Sequence, residues 1–293
     1  MVNELYPFEG KVLDLDGLRY HYLDEGEGAP VVMVHGNPSW SFYYRDLVLA
    51  LRGQYRTIVP DHIGCGRSDK PDDSRYEYTL ERRVQDLGKL IDSLGLDKVT
   101  LVLHDWGGMI GMTWATQNPE RVERLVLLNT SAFPLPESKP FPMQIALART
   151  PGLGTILVRG LNAFSKGAVK YCVTRTKMSK EVAAGYLEPY DSWENRIAVQ
   201  RFVEDIPLTK SHPTWPLINA TADKLQGLHG VPMLLLWGMK DFVFDVHFLD
   251  EWIRRFPDAE VHRFDDAGHY ILEDAPEDVI PLVSTFLEAH PTA

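Results

Sequence analysis

The sequence predicts an α/β fold in which a mostly parallel, eight-stranded sheet is covered by helices on both faces and by a helical cap. Two observations lead to this prediction. Short apolar runs alternate with helical patterns along most of the chain, as expected for a parallel sheet between helical layers. One long stretch, 133–216, interrupts that alternation with helical patterns and contains no convincing strand.

The strand candidates comprise an antiparallel start and a parallel remainder. The first two are alternating runs joined by Asp16-Gly17, a dipeptide that favours a hairpin turn. Most of the others are continuous apolar runs, typical of strands buried on both faces. The predicted strands are Lys11–Leu15, Leu18–Leu23, Val31–Val34, Thr57–Val59, Val99–Leu103, Val122–Leu128, Pro232–Trp237 and Val261–Phe264. The predicted helices are Phe42–Leu51, Leu80–Leu94, Gly108–Gln117 and Pro276–Ala289.

The interruption of the alternation between strands and helices predicts two domains. Residues 1–132 and 217–293 form the predicted core, and residues 133–216 the predicted helical cap. Open α/β sheets bind ligands at the carboxyl ends of their strands. A cap over those ends would exclude water from a site between the domains.

The composition excludes several classes of function. The formal net charge of −11 disfavours nucleic acid as a partner, because phosphate binding needs a basic patch. No apolar run approaches the roughly 18 residues of a membrane span, and the N-terminus does not resemble a signal peptide, so we expect a cytoplasmic protein. Cys65 and Cys172 have no metal-binding spacing and are expected to be reduced thiols.

The most informative segment joins the strand Val99–Leu103 to the following helix. His104-Asp105-Trp106-Gly107-Gly108 places Asp105 on the turn between them, the layout of a nucleophile elbow. A carboxylate with a reference pKa of roughly 3.9 is ionised at neutral pH and can attack carbon to form an ester. We therefore predict that Asp105 is a covalent nucleophile; the alternative is an ordinary helix N-cap. Leu103 departs from the small residue that usually stands two positions before such a nucleophile.

Donors for negative charge are predicted beside Asp105. The strand Val31–Val34 leads into His35-Gly36-Asn37-Pro38, so the backbone N–H groups of Asn37 and Trp106 would form an oxyanion hole. The side-chain amide of Asn37 and the indole N–H of Trp106 are further donors. Together they would hold a departing halide or another anion. By itself, an asparagine before proline is also typical of a turn.

A general base and its acidic partner are predicted in two later loops. His269 follows the last predicted strand and stands next to Gly268, a setting that suits a general base. Asp241, after Pro232–Trp237, would orient the imidazole and stabilise its charged form. Asp245 is the rival acid. Related arrangements place the acid after the strand that ends near residue 128, but Asn129 stands there and is not a carboxylate.

Four segments resemble those of haloalkane dehalogenases, which have the α/β-hydrolase fold. They are VHGNPSW (34–40), PDHIGCGRSDKP (60–71), HDWGG (104–108) and GMKD (238–241). The resemblance covers essentially the whole chain and is weakest in the cap. It implies the subfamily III arrangement, with nucleophile Asp105, base His269, acid Asp241, and Asn37 and Trp106 holding the halide. An aliphatic residue at the position of Leu103 is usual in this family.

The same subfamily includes β-lactone decarboxylases of bacterial olefin biosynthesis. Ser41–Arg45, Leu187–Arg196 and Gly238–Phe244 resemble those enzymes at least as closely. We therefore expect a haloalkane dehalogenase-like hydrolase, with β-lactone decarboxylase as the alternative. Both reactions begin with an aspartate, so the catalytic residues cannot distinguish them.

The resemblance also implies a mechanism for each substrate. With a haloalkane, Asp105 displaces halide, and His269, held by Asp241, activates the water that hydrolyses the ester to an alcohol. With a β-lactone, Asp105 opens or engages the ring, and loss of carbon dioxide leaves an alkene. The expected partners are a small apolar substrate and water, with halide as a product of the first reaction. No cofactor and no metal are expected.

Two rival functions share parts of this pattern. An epoxide hydrolase also uses Asp, His and Asp, but it needs acidic donors, usually a pair of cap tyrosines, for which Tyr171, Tyr186 and Tyr190 are available. A non-catalytic ligand sensor on a hydrolase scaffold would not need the complete acid–base set. A serine esterase is disfavoured because Asp105 occupies the elbow.

Overall fold

A single eight-stranded sheet organises the molecule. The computed structural model describes residues 2–292, with side chains from residue 4 onward. The strands are β1 (Lys11–Leu15), β2 (Leu18–Glu25), β3 (Pro30–Val34), β4 (Arg56–Pro60), β5 (Val99–Asp105), β6 (Val122–Thr130), β7 (Met233–Gly238) and β8 (Glu260–Phe264). Their spatial order is β1-β2-β4-β3-β5-β6-β7-β8. The β1–β2 and β2–β4 pairs are antiparallel and the other pairs are parallel, which confirms the predicted fold class.

Helices connect and cover the strands. The α-helices are α1 (Val2–Leu5), α2 (Arg45–Leu51), α3 (Leu80–Ser93), α4 (Trp106–Gln117), α5 (Met143–Arg149), α6 (Leu153–Thr155), α7 (Ala163–Tyr171), α8 (Lys180–Leu187), α9 (Ile197–Glu204), α10 (Trp215–Lys224), α11 (Val246–Arg255), α12 (Ile271–Asp274) and α13 (Pro276–Ala289). Short 3₁₀ segments are Ser41–Tyr44, Pro119–Arg121, Glu188–Tyr190, Glu194–Arg196 and Leu225–Leu228, and Ile156–Gly160 is a π-helical turn. None of the helices in residues 2–292 combines the length and apolar character needed to cross a bilayer.

Alternate residues of the central strands enter two apolar layers, one on each face of the sheet. Leu101 and Leu103 of β5 belong to the layer that contains buried residues of α3 and α4. Val102 belongs to the layer that contains buried residues of α2 and α13. Side chains on a strand alternate between its two faces, so one apolar run serves both layers.

Helices alone occupy the segment between β6 and β7. Residues 131–232, all within the described part of the chain, contain α5 to α10 and no strand. Part of this segment has an apolar cluster of its own, which includes Ile145, Val158 and Val203. The last helix, α10, packs on α4, where the hydroxyl oxygens of Thr113 and Thr221 lie 3.0 Å apart. The segment therefore combines local packing with attachment to the sheet layers.

Among the elements that differ from the sequence prediction, two lie beside predicted site residues. The predicted helix Gly108–Gln117 begins at Trp106, because β5 continues through Asp105 and passes into α4 without a loop. The helix α11 was not predicted. Asp245 is its N-cap and accepts a hydrogen bond from the backbone N–H of His247 at 3.1 Å. Its apolar residues Phe248, Leu249 and Trp252 are buried.

Candidate active site

The turn between β5 and α4 presents Asp105. This residue has φ 52° and ψ −127°, a backbone conformation that non-glycine residues rarely adopt. Such geometry costs roughly 1–3 kcal/mol and persists only where the surroundings enforce it. Asp105 occupies the N-cap position of α4, but its side chain makes no capping hydrogen bond. The carboxylate is therefore not used to cap the helix, as it would be in the alternative of an ordinary N-cap.

Glycines allow the neighbouring backbone to approach this turn closely. A Cβ atom at Gly107 would lie 1.9 Å from the carbonyl oxygen of Val34. A Cβ atom at Gly36 would lie 2.0 Å from Oδ1 of Asp105. Both distances are far below van der Waals contact, so the ends of β3 and β5 can meet only with glycine at these positions.

The carboxylate of Asp105 contacts a backbone donor and an imidazole. The backbone N–H of Asn37 donates to Oδ1 at 2.7 Å, and Nε2 of His269 lies 3.5 Å from Oδ2. Burial alone would raise the pKa of Asp105, but His269, with help from the backbone N–H of Trp106, lowers it below its usual range. Asp105 is therefore ionised at neutral pH even though it is only 6% exposed.

His269 lies between two carboxylates. Its Nδ1 atom is 2.8 Å from Oδ2 of Asp241, and its Nε2 atom faces Asp105. Burial alone would lower the pKa of His269, but the charges of Asp241 and Asp105 outweigh it and raise the pKa to about 10. The imidazole therefore carries a proton at neutral pH and faces the ionised carboxylate of Asp105.

The rival acid is engaged in other contacts. Asp245 caps α11, and its Oδ2 atom lies 2.8 Å from Nζ of Lys139. Asp241 instead turns inward, where its Oδ1 atom accepts a hydrogen bond from the backbone N–H of Val243 at 2.7 Å. The structure thus brings Asp241, and not Asp245, to His269.

Asn129 has a role that the sequence analysis did not identify. Its side-chain amide donates to the carbonyls of Gly238 and Phe244 at 3.0 and 3.2 Å, and its Oδ1 accepts from the backbone N–H of Gly238 at 2.8 Å. These bonds tie the end of β6 to the loop that contains Asp241. The signal in the sequence was the position itself, a polar residue at the end of a buried strand.

His104 is a second residue that the sequence analysis missed. Burial lowers its pKa to about 3, so the ring is neutral. Its Nε2–H donates to the backbone carbonyl of His269 at 2.9 Å. The residue before the predicted nucleophile therefore positions the backbone of the predicted base.

Asn37 and Trp106, the predicted anion-holding pair, both line the same cavity as Asp105. One amide N–H of Asn37 donates to the backbone carbonyl of Val199 in α9 at 3.1 Å, and the second N–H remains available. The indole N–H of Trp106 makes no hydrogen bond to another described residue, and its ring packs against Phe202 at a centroid distance of 5.3 Å. Both side chains can therefore offer a donor to a ligand.

The cavity has a volume of about 730 Å³ and is mostly apolar. Its lining side chains with polar atoms are Asn37, Asp105, Trp106, Gln144, Tyr171, Cys172 and His269. The others are apolar side chains of the loops after the strands, of α4 and α11, and of the segment between β6 and β7, together with Gly167. This volume is in the usual range for small-molecule sites, and the charged groups are confined to one part of it.

The three candidate tyrosines do not converge on this cavity. Tyr171 lines it, but Tyr186 donates its hydroxyl to Oε1 of Glu273 at 2.5 Å. Tyr190 donates to the backbone carbonyl of Ser39 at 3.2 Å. The pair of phenolic donors that an epoxide hydrolase would use is therefore absent from the described residues around Asp105. In the same part of the chain, no group of three His, Cys, Asp or Glu side chains is placed to hold a metal ion.

The family model described as the alpha/beta hydrolase fold matches residues 29–276. The chain belongs to the α/β-hydrolase fold family. The match includes all the predicted site residues and the whole segment between β6 and β7. It confirms the fold predicted from the motifs, and enzymes of this fold are among the relatives, so the chain is an enzyme of this fold.

Two groups of relatives resemble this α/β-hydrolase. A cis-3-alkyl-4-alkyloxetan-2-one decarboxylase of Shewanella oneidensis is 53% identical over 98% of this chain and 91% of the relative. Haloalkane dehalogenase 2 of Mycobacterium tuberculosis is 34% identical over 94% of this chain and 93% of the relative. The crystal structure of haloalkane dehalogenase DatA from Agrobacterium tumefaciens has a TM-score of 0.87 at 28% identity and covers 97% of both chains. Both predicted relationships are confirmed, and the decarboxylase has the higher identity.

Proposed function

We propose that this enzyme is a β-lactone decarboxylase that converts cis-3-alkyl-4-alkyloxetan-2-ones into alkenes and carbon dioxide. The observation that carries the proposal is the ionised carboxylate of Asp105 at the polar part of a large apolar cavity. A dialkyl β-lactone has one polar ring and two apolar chains. The ring matches the polar part of the cavity, and the chains match its apolar remainder. The 53% identity to a decarboxylase over 98% of the chain favours this substrate over a haloalkane.

In the first step, Asp105 attacks the saturated ring carbon that is bonded to the ring oxygen, and not the carbonyl carbon. A new C–O bond forms to the enzyme while the carbon–oxygen bond of the strained ring breaks, and its electron pair leaves on the substrate as a carboxylate. The amide of Asn37 and the indole N–H of Trp106 hold that anion. Backside attack inverts the carbon and leaves the Asp105 oxygen opposite the new carboxylate across the C–C bond.

In the second step, the substrate loses carbon dioxide. The bond between the carboxylate and the ring skeleton breaks, its electrons form the double bond, and the C–O bond to Asp105 breaks to regenerate the aspartate. Because the two departing groups are opposite each other, a cis lactone yields a cis alkene. Protonated His269, with Nε2 at 3.5 Å from Oδ2, stabilises the returning charge on Asp105. No water is consumed.

The test is a paired substrate assay. The full-length enzyme receives a cis-3,4-dialkyl β-lactone, with alkene and carbon dioxide as the readout, and separately 1-iodobutane or 1,2-dibromoethane, with halide release as the readout. We expect alkene from the lactone, loss of that activity in Asp105→Asn, and retention in Asp245→Asn, since asparagine also caps helices well. Release of a β-hydroxy acid without alkene, or full activity of Asp105→Asn, would contradict the proposal.

Haloalkane dehalogenation is the second candidate, and it is favoured by the two donors of Asn37 and Trp106 beside Asp105. Here Asp105 displaces the halide, and the resulting ester is hydrolysed. Esterification removes one of the two negative charges beside His269, so its pKa falls and the imidazole can act as a general base on water. For this reaction, His269→Phe should accumulate an alkyl adduct on Asp105, detectable as a mass increase of the intact protein.

We also propose that residues 133–216 act as a cap domain on a core of residues 1–132 and 217–293. Residues on both sides of these boundaries line one cavity, among them Asp105 and His269 of the core and Ile145 and Phe164 of the cap. The cap covers the charged groups with apolar side chains. Exclusion of water strengthens their interactions and prevents hydrolysis of the intermediate.

A further inference from the structure

The cap exposes an unusual amount of apolar surface. Of the ten large hydrophobic side chains that are exposed in the described residues, six lie between positions 143 and 171. They are Met143 (72% exposed), Leu147 (46%), Leu153 (44%), Ile156 (57%), Leu161 (59%) and Tyr171 (60%). Isolated exposed apolar residues are normal, but such a concentration marks an interaction surface.

These residues lie on consecutive, mutually packed elements. Met143 and Leu147 belong to α5, Ile156 begins the π-helical turn 156–160, and Tyr171 ends α7. Contacts connect α5 to α6, α6 to the π-helical turn, and that turn to α7. We call the exposed surface of residues 143–171 the cap face.

The mouth of the cavity opens on the cap face. Leu147 of α5 and Tyr171 of α7 line the cavity and are also exposed, which places the opening between these two helices. Gln144 and Ala163 also line the cavity and are exposed. A ligand that reaches Asp105 by this route therefore passes across the apolar surface of the cap face.

The charge of this segment is opposite to that of the whole chain. Residues 138–180 contain eight Lys and Arg residues and no Asp or Glu, whereas the full chain has a net charge of −11. On α7, Lys166 and Lys170 are exposed and form no ion pair with described residues. Lys166 donates to the carbonyl of Leu161 at 3.1 Å, and Nζ of Lys170 lies 4.9 Å from the ring centroid of Tyr171. Basic groups thus stand directly beside the mouth.

We propose that the cap face docks on the surface of an anionic lipid bilayer with the cavity mouth directed towards the lipid. Apolar side chains beside lysines are the combination that binds the interface of a membrane, where the apolar groups enter the acyl boundary and the lysines meet anionic headgroups. A second copy of this chain is a poorer occupant, because a symmetric contact would bring the same lysines together. The docked enzyme takes its apolar ligand directly from the bilayer.

The experiment is flotation of the full-length protein with vesicles of phosphatidylcholine, with or without phosphatidylglycerol. We expect binding only when phosphatidylglycerol is present, and its loss at about 1 M salt, where the Debye length is about 3 Å. Lys166→Glu with Lys170→Glu should weaken binding at least about 25-fold, since each basic residue contributes about 1 kcal/mol. Met143→Gln with Ile156→Gln should weaken it at least about 10-fold.

Matched variants on the predicted core are the controls. Lys98→Glu with Lys224→Glu makes the same charge change at exposed positions. Val12→Gln with Leu49→Gln likewise replaces two exposed apolar side chains by glutamine. Both should bind vesicles like the parent, and melting temperatures verify that all variants fold.

The proposal is overturned if the parent does not float with anionic vesicles, or if the controls lose as much binding as the cap-face variants. Suppose instead that the protein does not float but forms a dimer without lipid, and that Met143→Gln with Ile156→Gln abolishes this dimer. That result would assign the cap face to a second copy of the chain. Binding is measured without substrate, so the result does not depend on which reaction the enzyme performs.

Discussion

Nδ1 of His269 lies 2.8 Å from Oδ2 of Asp241, although the two residues are 28 positions apart on different loops. This pair sets the orientation of the imidazole, so that Nε2 faces the carboxylate of Asp105. It is also the largest of the influences that raise the pKa of His269 against the effect of burial. The proposed chemistry therefore depends on a contact between two separate loops.

Replacing Asp241 by asparagine should reduce kcat/KM at least about 100-fold, because the amide neither stabilises the imidazolium nor selects the required orientation of the ring. Alkene formation from a cis β-lactone is the measurement. Asp245→Asn, the matched substitution of the nearby carboxylate that caps α11, should stay within about threefold of the parent. Equal losses in the two variants would assign the effect to general damage of this loop.

Asn129→Ala should destabilise the protein by about 2–3 kcal/mol. The change leaves the buried backbone N–H of Gly238 without its partner, and it places alanine at φ 33°, in the left-handed region. Urea unfolding measures the change in free energy. Asn219→Ala, which removes an exposed hydrogen bond to Asp223, should stay within about 0.5 kcal/mol. The prediction fails if both variants unfold at the same urea concentration as the parent.

The raised pKa of His269 predicts that the free energy of unfolding falls as the pH rises from 7 to 8. An imidazole in the unfolded chain titrates near 6.5, whereas in the folded protein the pKa is about 10. Over this window the folded state retains a proton that the unfolded state has lost, so the stabilisation present at low pH declines by up to about 1.4 kcal/mol per pH unit. His269→Gln removes this dependence. Urea unfolding of parent and variant at several pH values provides the slopes, and parallel slopes would refute the assignment.

Gly167→Leu should shift the preference of the enzyme to shorter substrates. Gly167 lies within α7 and lines the cavity, and a Cβ atom there would meet nothing within 4 Å. The leucine is expected to fill part of the cavity, since its Cβ atom has room, and the change removes a glycine from a helix interior, so stability should not fall. Competition between long-chain and short-chain β-lactones measures the shift. Gly227→Leu, at an exposed glycine away from the cavity, should leave the ratio unchanged.

Local patterns explain why much of the fold could be predicted. The apolar run of β5 and the Gly107-Gly108 pair indicate a strand that turns sharply into a helix, and the structure has that turn at Asp105. The helix α11 was missed because its start depends on the capping bond of Asp245, a residue that the sequence analysis considered as a catalytic acid. The same aspartate satisfies both patterns, and only its contacts distinguish them.

The sequence by itself determined the order of the strands along the chain, the helical segment between β6 and β7, and the presence of Asp105, Asp241 and His269 after predicted strands. Those features follow from periodicity and turn residues, which act over a few neighbouring positions. Only the tertiary structure decided that Asp241 meets His269 while Asp245 pairs with Lys139, and that Tyr186 and Tyr190 turn away from the cavity. These outcomes depend on which loops lie side by side, and that is set by the pairing of strands distant in sequence.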